Sequence, residues 1–348
     1  MTIERIAQHI EGILNVPFSS SKKPISFHDK YAVENCYELA KKAFPQHLQS
    51  LTEDIAESLL HSYSEEYKPS LRVSTLGKEP LLQALAHIGY EDYKLDNFFL
   101  ANNGHIFEAL VRFILRCRGF DIEYDDFYST TVDFYGVKGH CDFVLKTPMG
   151  KRIVCEVKHC SENFLKGFLE PEMGYNEQTN RTYKTGDLKS SLSTFALNND
   201  YRGYIHQLSV YSYCLDIDAM WIFYNKGSHQ VQCVPLPNGL RDKIIPQLKD
   251  LVETIKPIST LPEVLDTFDI PKPVAQVSRG VPTGLHYVPM CMRNSAFKDL
   301  FYGETFTIAG KKTEFVEKGE ILNKEDIIQR FSEYYGRGVT PISAYIQQ

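Results

Sequence analysis

The sequence contains no apolar run of membrane-spanning length, so we expect no membrane partner. Its eight cysteines are scattered instead of standing at short, paired spacings, which argues against a disulfide framework and predicts reduced packing residues. The sequence also lacks a Gly-x-x-x-x-Gly-Lys-Ser/Thr run, so the chain encodes no ATP motor of the P-loop type. No internal repeat or low-complexity tract is present.

Basic residues are also fewer than acidic residues. Lys and Arg number 38 against 44 Asp and Glu, and the net charge of −6 argues against broad, non-specific binding of nucleic acid. A nuclease stays compatible with this charge, because a local basic patch or a bound metal ion can outweigh a mildly acidic surface. The first residues predict an amphipathic helix and not a signal peptide, so we expect a cytoplasmic location.

Hydrophobic periodicity divides the chain into three regions. Residues 1–100 are mainly helical in pattern, residues 101–256 mix helices with strands, and residues 257–348 form a C-terminal extension. Helices are predicted near 2–14, 30–43, 48–65, 79–88, 104–118, 203–215, 239–255 and 324–335. Strands are predicted near 121–135, 139–146, 152–158, 220–224 and 230–234. Within the middle region, residues 160–202 are polar and predict an inserted loop.

The stretch from Gly139 to Lys158 carries most of the functional information. A three-residue loop ending at Gly150, with this glycine in the left-handed conformation, brings Asp142 opposite Glu156 in a hairpin. Asp142, Glu156 and Lys158 then share one face, with the Cβ atoms of the two acids roughly 5 Å apart. The other face is apolar and is filled by Cys141, Phe143, Ile153, Cys155 and Val157.

Two carboxylates from neighbouring strands, with an ammonium group beside them, are what a divalent cation and an activated water require. The alternative is an ordinary hairpin on which Glu156 and Lys158 form a solvated surface pair. The same register sets Lys146 opposite Arg152, a like-charge pair that requires either a looser register or a bound anion such as phosphate.

Two predicted helices contribute further polar groups. The first, which Asn102 and Asn103 are expected to cap, carries three polar residues on one face: His105, Glu108 and Arg112. On the second, Gln207 and Tyr211 stand one turn apart, with Tyr204 one turn earlier. An amide and a phenol stacked in this way are either surface decoration or groups that bind a phosphate and position a nucleotide.

The order of these motifs resembles the PD-(D/E)XK nuclease superfamily. Four motifs carry the resemblance, from Gly104 to about Val234: Gly-x-x-x-Glu on a helix, Gly-x-x-Asp and Glu-x-Lys on strands, and Gln-x-x-x-Tyr on a later helix. Within the superfamily, the sequence is similar to the branch of RecB-type nuclease domains, lambda-type exonucleases and the mitochondrial genome-maintenance exonuclease. The resemblance implies an α/β (α+β) restriction-endonuclease-like core, a central mixed sheet flanked by helices, with a helical N-terminal region and a C-terminal extension.

The resemblance also implies roles for individual residues. Asp142 and Glu156 would be metal ligands, with the carbonyl of Val157 as a third contact, and Lys158 would orient or deprotonate the attacking water. Either Glu108 or His105 would be the metal ligand on the helix, and the sequence does not choose between them.

Other residues would contact the substrate. Gln207 would hold the scissile region of the strand and Tyr211 would support it. The insert alternates aromatic with basic residues, among them Arg181 and Lys184, which suits an arm that grips phosphates and stacks bases. Alternatively, the insert is a disordered surface excursion.

The expected cofactor is Mg²⁺, with Mn²⁺ as a substitute, because oxygen ligands dominate the site. A lysine beside a metal ion can have a depressed pKa, which would favour the action of Lys158 as a base. Some relatives hold an iron–sulfur cluster through closely spaced cysteines, but no such group follows Lys158, so no cluster is expected.

These features predict a DNA exonuclease of replication, recombination or repair, phage-encoded if the lambda-type resemblance holds and then located in the host cytoplasm. An endonuclease on the same core and an inactive nucleic-acid-binding protein are the alternatives. DNA is the expected partner, with a recombinase, single-strand-binding protein or helicase as further candidates. Cleavage polarity, strand preference and the choice between monomer and trimer stay open.

Overall fold

A computed structural model describes residues 2–15, 49, 51–53, 55–56, 71–90, 97–123, 130–176, 181–200, 202–228, 230–293, 295, 297–308, 314–316 and 321–336. The helix predicted near 30–43 lies outside these residues, and so does most of the helix predicted near 48–65. Among the described residues, no helix is both long enough and apolar enough to cross a membrane.

The described chain is a mixed α/β structure. Its helices are α1 (Ile3–Asn15), α2 (Pro80–His87), α3 (Asn97–Cys117), α4 (Glu162–Phe168), α5 (Thr194–Asn198), α6 (Tyr204–Leu215), α7 (Leu240–Ile255), α8 (Leu261–Thr267), α9 (Lys298–Tyr302) and α10 (Lys324–Gly336). Its strands are β1 (Asp121–Glu123), β2 (Thr130–Phe134), β3 (Val137–Cys141), β4 (Phe143–Lys146), β5 (Arg152–Cys160), β6 (Leu169–Asn176), β7 (Arg181–Leu192), β8 (Asp218–Asn225), β9 (Val231–Pro235), β10 (Val274–Ser278), β11 (Val281–Tyr287), β12 (Thr305–Thr307) and β13 (Glu314–Val316).

A five-stranded sheet in the order β1-β4-β5-β8-β9 forms the centre. Strands β5 and β8 are parallel, and the other neighbours are antiparallel. The central strands β5 and β8 are nearly continuous apolar runs because both of their faces are buried. Helices α6 and α7 cover one face through Leu208 and Val252, while α1 and α3 cover the other through Ile6 and Val111.

The β4–β5 hairpin has the predicted register. Val144 pairs with Val154, and Gly150 adopts the left-handed conformation at φ +79°. The like charges of Lys146 and Arg152 are opposite each other, as expected, but β1 supplies acids to both positions. Asp121 pairs with Lys146 in the ladder, and Glu123 accepts a hydrogen bond from Arg152 at 2.7 Å. An additional anion is therefore not needed to tolerate this register.

The strand predicted over 139–146 is interrupted at Asp142. Residues up to Cys141 pair with β2 in a separate two-stranded sheet, while residues from Phe143 onward join the central sheet. The bend also corrects the predicted position of Cys141, which packs with Val144 and Val154 and not with Phe143. The bend frees Asp142 from regular pairing at the end of the ladder.

Two other expectations are corrected. Helix α3 begins at Asn97, so Asn102 and Asn103 lie within the helix and do not cap it. The insert 160–202 is not a loop, since it folds as α4, the β6–β7 hairpin and α5. Ser161 accepts a hydrogen bond from the Phe164 amide and caps α4, which explains why a helix starts directly after β5.

The terminal regions attach to the centre in different ways. Helix α1 packs against β9, and Asn15 exchanges two hydrogen bonds with the backbone of Val231 at this sheet edge. Helix α2 instead joins a hydrophobic cluster in the C-terminal region, where Leu81 and Leu85 pack with Phe297 and other residues from 255 onward. A four-stranded sheet, β10-β11-β13-β12, lies in this C-terminal region.

Candidate active site

The bend at Asp142 positions its carboxylate against the backbone of β5. Residues 153 and 155 of β5 lie opposite residues of β4. Alternate residues of a strand direct their backbone N–H and C=O groups to the same neighbour, so those of Val157 point toward the β4 side. Cys141 would pair with Val157 if β4 continued, but the chain has turned away, and Asp142 Oδ2 accepts the Val157 N–H at 2.6 Å instead. The Val157 carbonyl faces the Asp142 side too, because the N–H and C=O of one strand residue point the same way.

Glu156 and Lys158 follow on the same strand and contact each other. Lys158 Nζ donates to Glu156 Oε1 at 2.5 Å, and the side chains are only 19% and 2% exposed. The second carboxylate oxygen, Glu156 Oε2, is buried with no hydrogen-bond partner. This enclosure rules out the solvated surface pair that the sequence left open. A buried carboxylate oxygen without a partner is costly and requires an explanation.

Helix α3 brings Glu108 toward the same centre. His105 Nδ1 lies 3.3 Å from Glu108 Oε2, and the Glu108 side chain is the more enclosed of the two, 18% exposed against 40%. The charge of Glu108 acts on both Asp142 and Glu156, raising the pKa of each. Glu108 therefore faces the two strand acids, while His105 lies on its more exposed side.

The pKa shifts of the two strand acids reflect burial together with the charge of Glu108. Burial is the main cause that raises the pKa of Asp142 well above its ordinary value, and the charges of Glu108 and Glu156 add to it. Burial likewise raises the pKa of Glu156, although Lys158 partly opposes the shift. For Glu108, burial is outweighed by the hydrogen bond and charge of His105 and by the charges of Arg112 and Lys158, so its pKa is lowered.

Without a metal ion, the pKa of Lys158 is raised. Burial alone would lower the pKa of its ammonium group, but the charges of Glu156 and Asp142 outweigh this effect and raise the pKa above its ordinary value. The lowered pKa that is expected of this lysine beside a bound metal ion therefore stays a prediction.

Gln207 and Tyr211 lie beneath the acids and not at the surface. Gln207 Nε2 donates to the Tyr211 hydroxyl at 3.0 Å, and both side chains are buried, at 5% and 1% exposure. The charge of Glu156 contributes to the raised pKa of Tyr211, after the larger effect of burial, so the phenol lies within the field of that acid. This enclosure favours a supporting role for both residues over direct contact with a strand.

Gly139 and Gly104, the glycines of two of the motifs, differ in the space that is available for a side chain. A Cβ at Gly139 would lie 2.4 Å from Val73 and 3.2 Å from the Tyr211 ring, so the close approach of these groups requires glycine. A Cβ at Gly104 would meet only Glu108 Oε1, at an ordinary 3.9 Å. The packing of Val73 against Gly139 shows that the segment around residue 73 forms part of the floor of the site.

Arg181 and Lys184 lie on β7 in the insert, and their side chains are outside the described structure. The structure therefore does not place these two residues near the acids.

Asp200 is a residue that sequence reasoning missed. Its carboxylate accepts the backbone N–H groups of Tyr204, Ile205 and His206 at 2.7–3.1 Å and also contacts His206 Nδ1 at 2.8 Å. The acid thus fixes the start of α6, the helix that carries Gln207 and Tyr211. An Asp shortly before a predicted helix was the available signal.

The donor set suits a hard divalent cation. Asp142, Glu156 and the Val157 carbonyl offer oxygen atoms at one place, and Glu156 Oε2 is without a partner. Across the described parts of the chain, no three Asp, Glu, His or Cys side chains already converge in a ready-made metal site. The ammonium group of Lys158 contacts Glu156 Oε1 here, so an ion bound by both strand acids would share Glu156 with Lys158.

Comparisons with known proteins add little. No protein-family model and no curated protein matches the sequence. Among solved structures, the crystal structure of SSO0001 is similar at 13% sequence identity, with a TM-score of 0.30, over 58% of this chain and 83% of the other. A similarity at this level supports no argument about fold or activity, so the functional reasoning depends on the site itself.

Proposed function

We propose that this protein is a metal-dependent DNA exonuclease with a PD-(D/E)XK core. One observation carries the proposal: the buried, unpartnered Oε2 of Glu156 lies in a cluster with Asp142, Glu108 and Lys158. Glu108 is balanced by His105 and Arg112, but Lys158 only partly opposes the raised pKa values of Asp142 and Glu156, so the two strand acids keep a surplus of negative charge when ionised. A divalent cation compensates such a surplus, whereas a purely structural pair of Glu and Lys does not need the additional acids.

Asp142, Glu156 and the Val157 carbonyl are the groups that would hold Mg²⁺ or Mn²⁺. Glu108 is the better candidate for the helical ligand, because it is more enclosed than His105 and acts on both strand acids. When bound, the ion supplies a Lewis acid for the phosphate and lowers the pKa of a coordinated water.

The chain's own residues position the reactants. The Val157 N–H holds Asp142 by one carboxylate oxygen, which fixes its orientation. Lys158 presents a cation at the same centre, where it attracts the scissile phosphate and orients the attacking water. Neutralisation of the acids by an ion would also remove the charges that raise the pKa of Lys158, which makes proton transfer at this amine easier.

A cleavage assay tests the proposal. We expect the protein to degrade linear single- or double-stranded DNA in Mg²⁺ or Mn²⁺, to be inactive in EDTA, and to lose cleavage but keep DNA binding in the variant Lys158→Ala. A circular single strand should stay intact, because an exonuclease needs an end. Cleavage of the circle would indicate the endonuclease instead, and full activity of Lys158→Ala would refute the assigned chemistry.

A further inference from the structure

An aromatic side chain borders the acid cluster. Lys158 Nζ lies 5.2 Å from the centre of the Tyr204 ring, within the range of a cation–π contact. Tyr204 is the first residue of α6, and its backbone N–H is held by Asp200 at 3.0 Å. One ring is therefore fixed directly beside the amine at which we place the scissile phosphate.

A second ring and a second cation continue from Tyr204. The Phe164 ring lies 5.6 Å from the Tyr204 ring in an edge-to-face arrangement, and the Arg202 guanidinium lies 4.9 Å from the centre of Phe164. Arg202 is exposed, whereas the two rings are half-buried. The order across this surface is cation, ring, ring, cation, and we call Lys158, Tyr204, Phe164 and Arg202 the ring platform.

The ring platform rests on a rigid support. Phe168 stacks on Phe164 at 5.1 Å and meets Phe223 at 5.4 Å, and both of these supporting rings are buried. Phe164 stands on α4, whose cap at Ser161 begins three residues after Lys158. A surface held in this way loses little conformational entropy when a ligand binds.

General electrostatic attraction does not explain the insert around the platform. Residues 160–202 contain five Lys and Arg against six Asp and Glu, so the segment as a whole does not attract a polyanion. A specific arrangement of rings with two flanking cations is better suited to the alternation of bases and phosphates in one strand of nucleic acid.

We propose that the ring platform is a nucleotide-binding subsite that receives a single strand next to the cleavage centre. One base stacks on Tyr204, which Phe164 supports from the side, the scissile phosphate lies at Lys158, and a neighbouring phosphate lies at Arg202. This inference rests on the proposed nuclease function and adds the substrate form to it: the strand is unpaired at the site, because a base inside a duplex already has both faces covered by neighbouring bases and must leave the stack to lie on a side-chain ring.

Binding measurements in EDTA test the platform independently of cleavage. The probes are fluorescent single-stranded oligonucleotides, intact or with one abasic residue moved stepwise from the end. We expect one abasic position to weaken binding by roughly 5- to 150-fold, the range for loss of one base–aromatic stack. Tyr204→Leu should weaken binding of the intact strand to a similar degree and remove the position dependence, and Tyr204→Phe should restore both.

Tyr213→Leu is the matched control, since Tyr213 lies on the same helix, is 42% exposed and is not part of the platform. Arg202→Gln should make the slope of log K against log salt concentration less steep by about one released counterion, as expected for one lost phosphate contact.

The abasic probes keep the test valid if a ring variant fails to fold. Equal binding of the wild type to intact strands and to every abasic strand would overturn the platform. If the wild type cleaves DNA but its binding does not depend on the abasic position, the ring platform is refuted and the nuclease function is not. If binding depends on the abasic position but no cleavage occurs in Mg²⁺, the ring platform is supported and the nuclease function is refuted.

Discussion

Two buried pairs of Lys and Glu can be compared in this molecule. Lys158 contacts Glu156 in the central sheet, and Lys298 contacts Glu314 in the C-terminal region. In both pairs, one glutamate oxygen is buried without a hydrogen-bond partner. The pairs have the same chemistry, and both amines are largely enclosed, at 19% and 10% exposure, so the surroundings of the two pairs can be compared.

The surroundings differ in charge. Two further acids act on the first pair. The charge of Glu108 raises the pKa of Glu156, and the charge of Asp142 raises the pKa of Lys158. The second pair is bordered by apolar residues of the C-terminal cluster, among them Phe297 before Lys298 and Val316 near Glu314. A buried ion pair by itself is weak evidence for function, because structural pairs are common. The surplus of acids distinguishes the first pair as a candidate cation site.

The largest expected difference is in catalysis. Lys158→Met should reduce DNA cleavage by about 10²- to 10⁴-fold, the usual contribution of a positioned proton-transfer group. Lys298→Met removes an equally enclosed amine far from the proposed chemistry in sequence and should leave the turnover of folded protein within about threefold of wild type. Single-turnover rates, normalised to the folded fraction from circular dichroism, provide the measurement. Equal losses in both variants would remove the distinction between the pairs.

The second difference is in stability without metal. Glu314→Gln leaves Lys298 with a buried charge and should lower the free energy of unfolding by about 1–3 kcal/mol. Asp142→Asn should raise it, because burial and the charges of Glu108 and Glu156 raise the pKa of Asp142 and make its ionised form costly in the folded protein. Denaturant unfolding in EDTA at pH 7 measures both values.

The pH dependence provides the control for Asp142→Asn. A carboxyl with a raised pKa in the folded protein takes up its proton there first, so its ionised form destabilises the fold at neutral pH. The gain in the Asn variant should therefore be present at pH 7 and disappear as the pH falls toward 3.8, the ordinary value for Asp. A variant less stable than wild type at pH 7 would contradict the proposed surplus of charge.

The smallest expected difference is the response to metal. At ten times its dissociation constant, Mg²⁺ should stabilise the wild type by about 1.4 kcal/mol, as binding linkage requires. Glu314→Gln should retain this increment, and Asp142→Asn should lose it. Thermal melts across a Mg²⁺ titration measure the increments. An increment that persists in Asp142→Asn would place the ion elsewhere.

The hairpin shows how much of the site could be predicted. The glycine at position 150 specifies the register, because the three-residue loop needs a left-handed residue at its end and glycine adopts this conformation without strain. The register then brings Asp142 and Glu156 to corresponding positions. The helix of Gln207 and Tyr211 was also predicted closely, since its apolar periodicity and the preceding glycine define its start.

Other parts of the site could not be predicted because they depend on long-range contacts. The bend at Asp142 arises where the chain leaves one sheet for another, and local sequence does not specify which strand pairs with which. The burial of Gln207 depends on the packing of α6 onto the sheet. The insert was expected to be a loop because the polar residues of β6 and β7 mask the period of a hairpin that is solvated on much of its surface.

The sequence by itself determined which residues lie at the turn of the hairpin, and that two acids and a lysine stand on neighbouring strand positions. These features depend on the period of the backbone and on the conformation of single residues, so they are local. Only the tertiary structure decided that Glu108 faces the strand acids, that a Glu156 oxygen is buried without a partner, and that the ring platform borders Lys158. Burial and charge coupling depend on elements far apart in the chain, which come together only when the helices pack against the sheet.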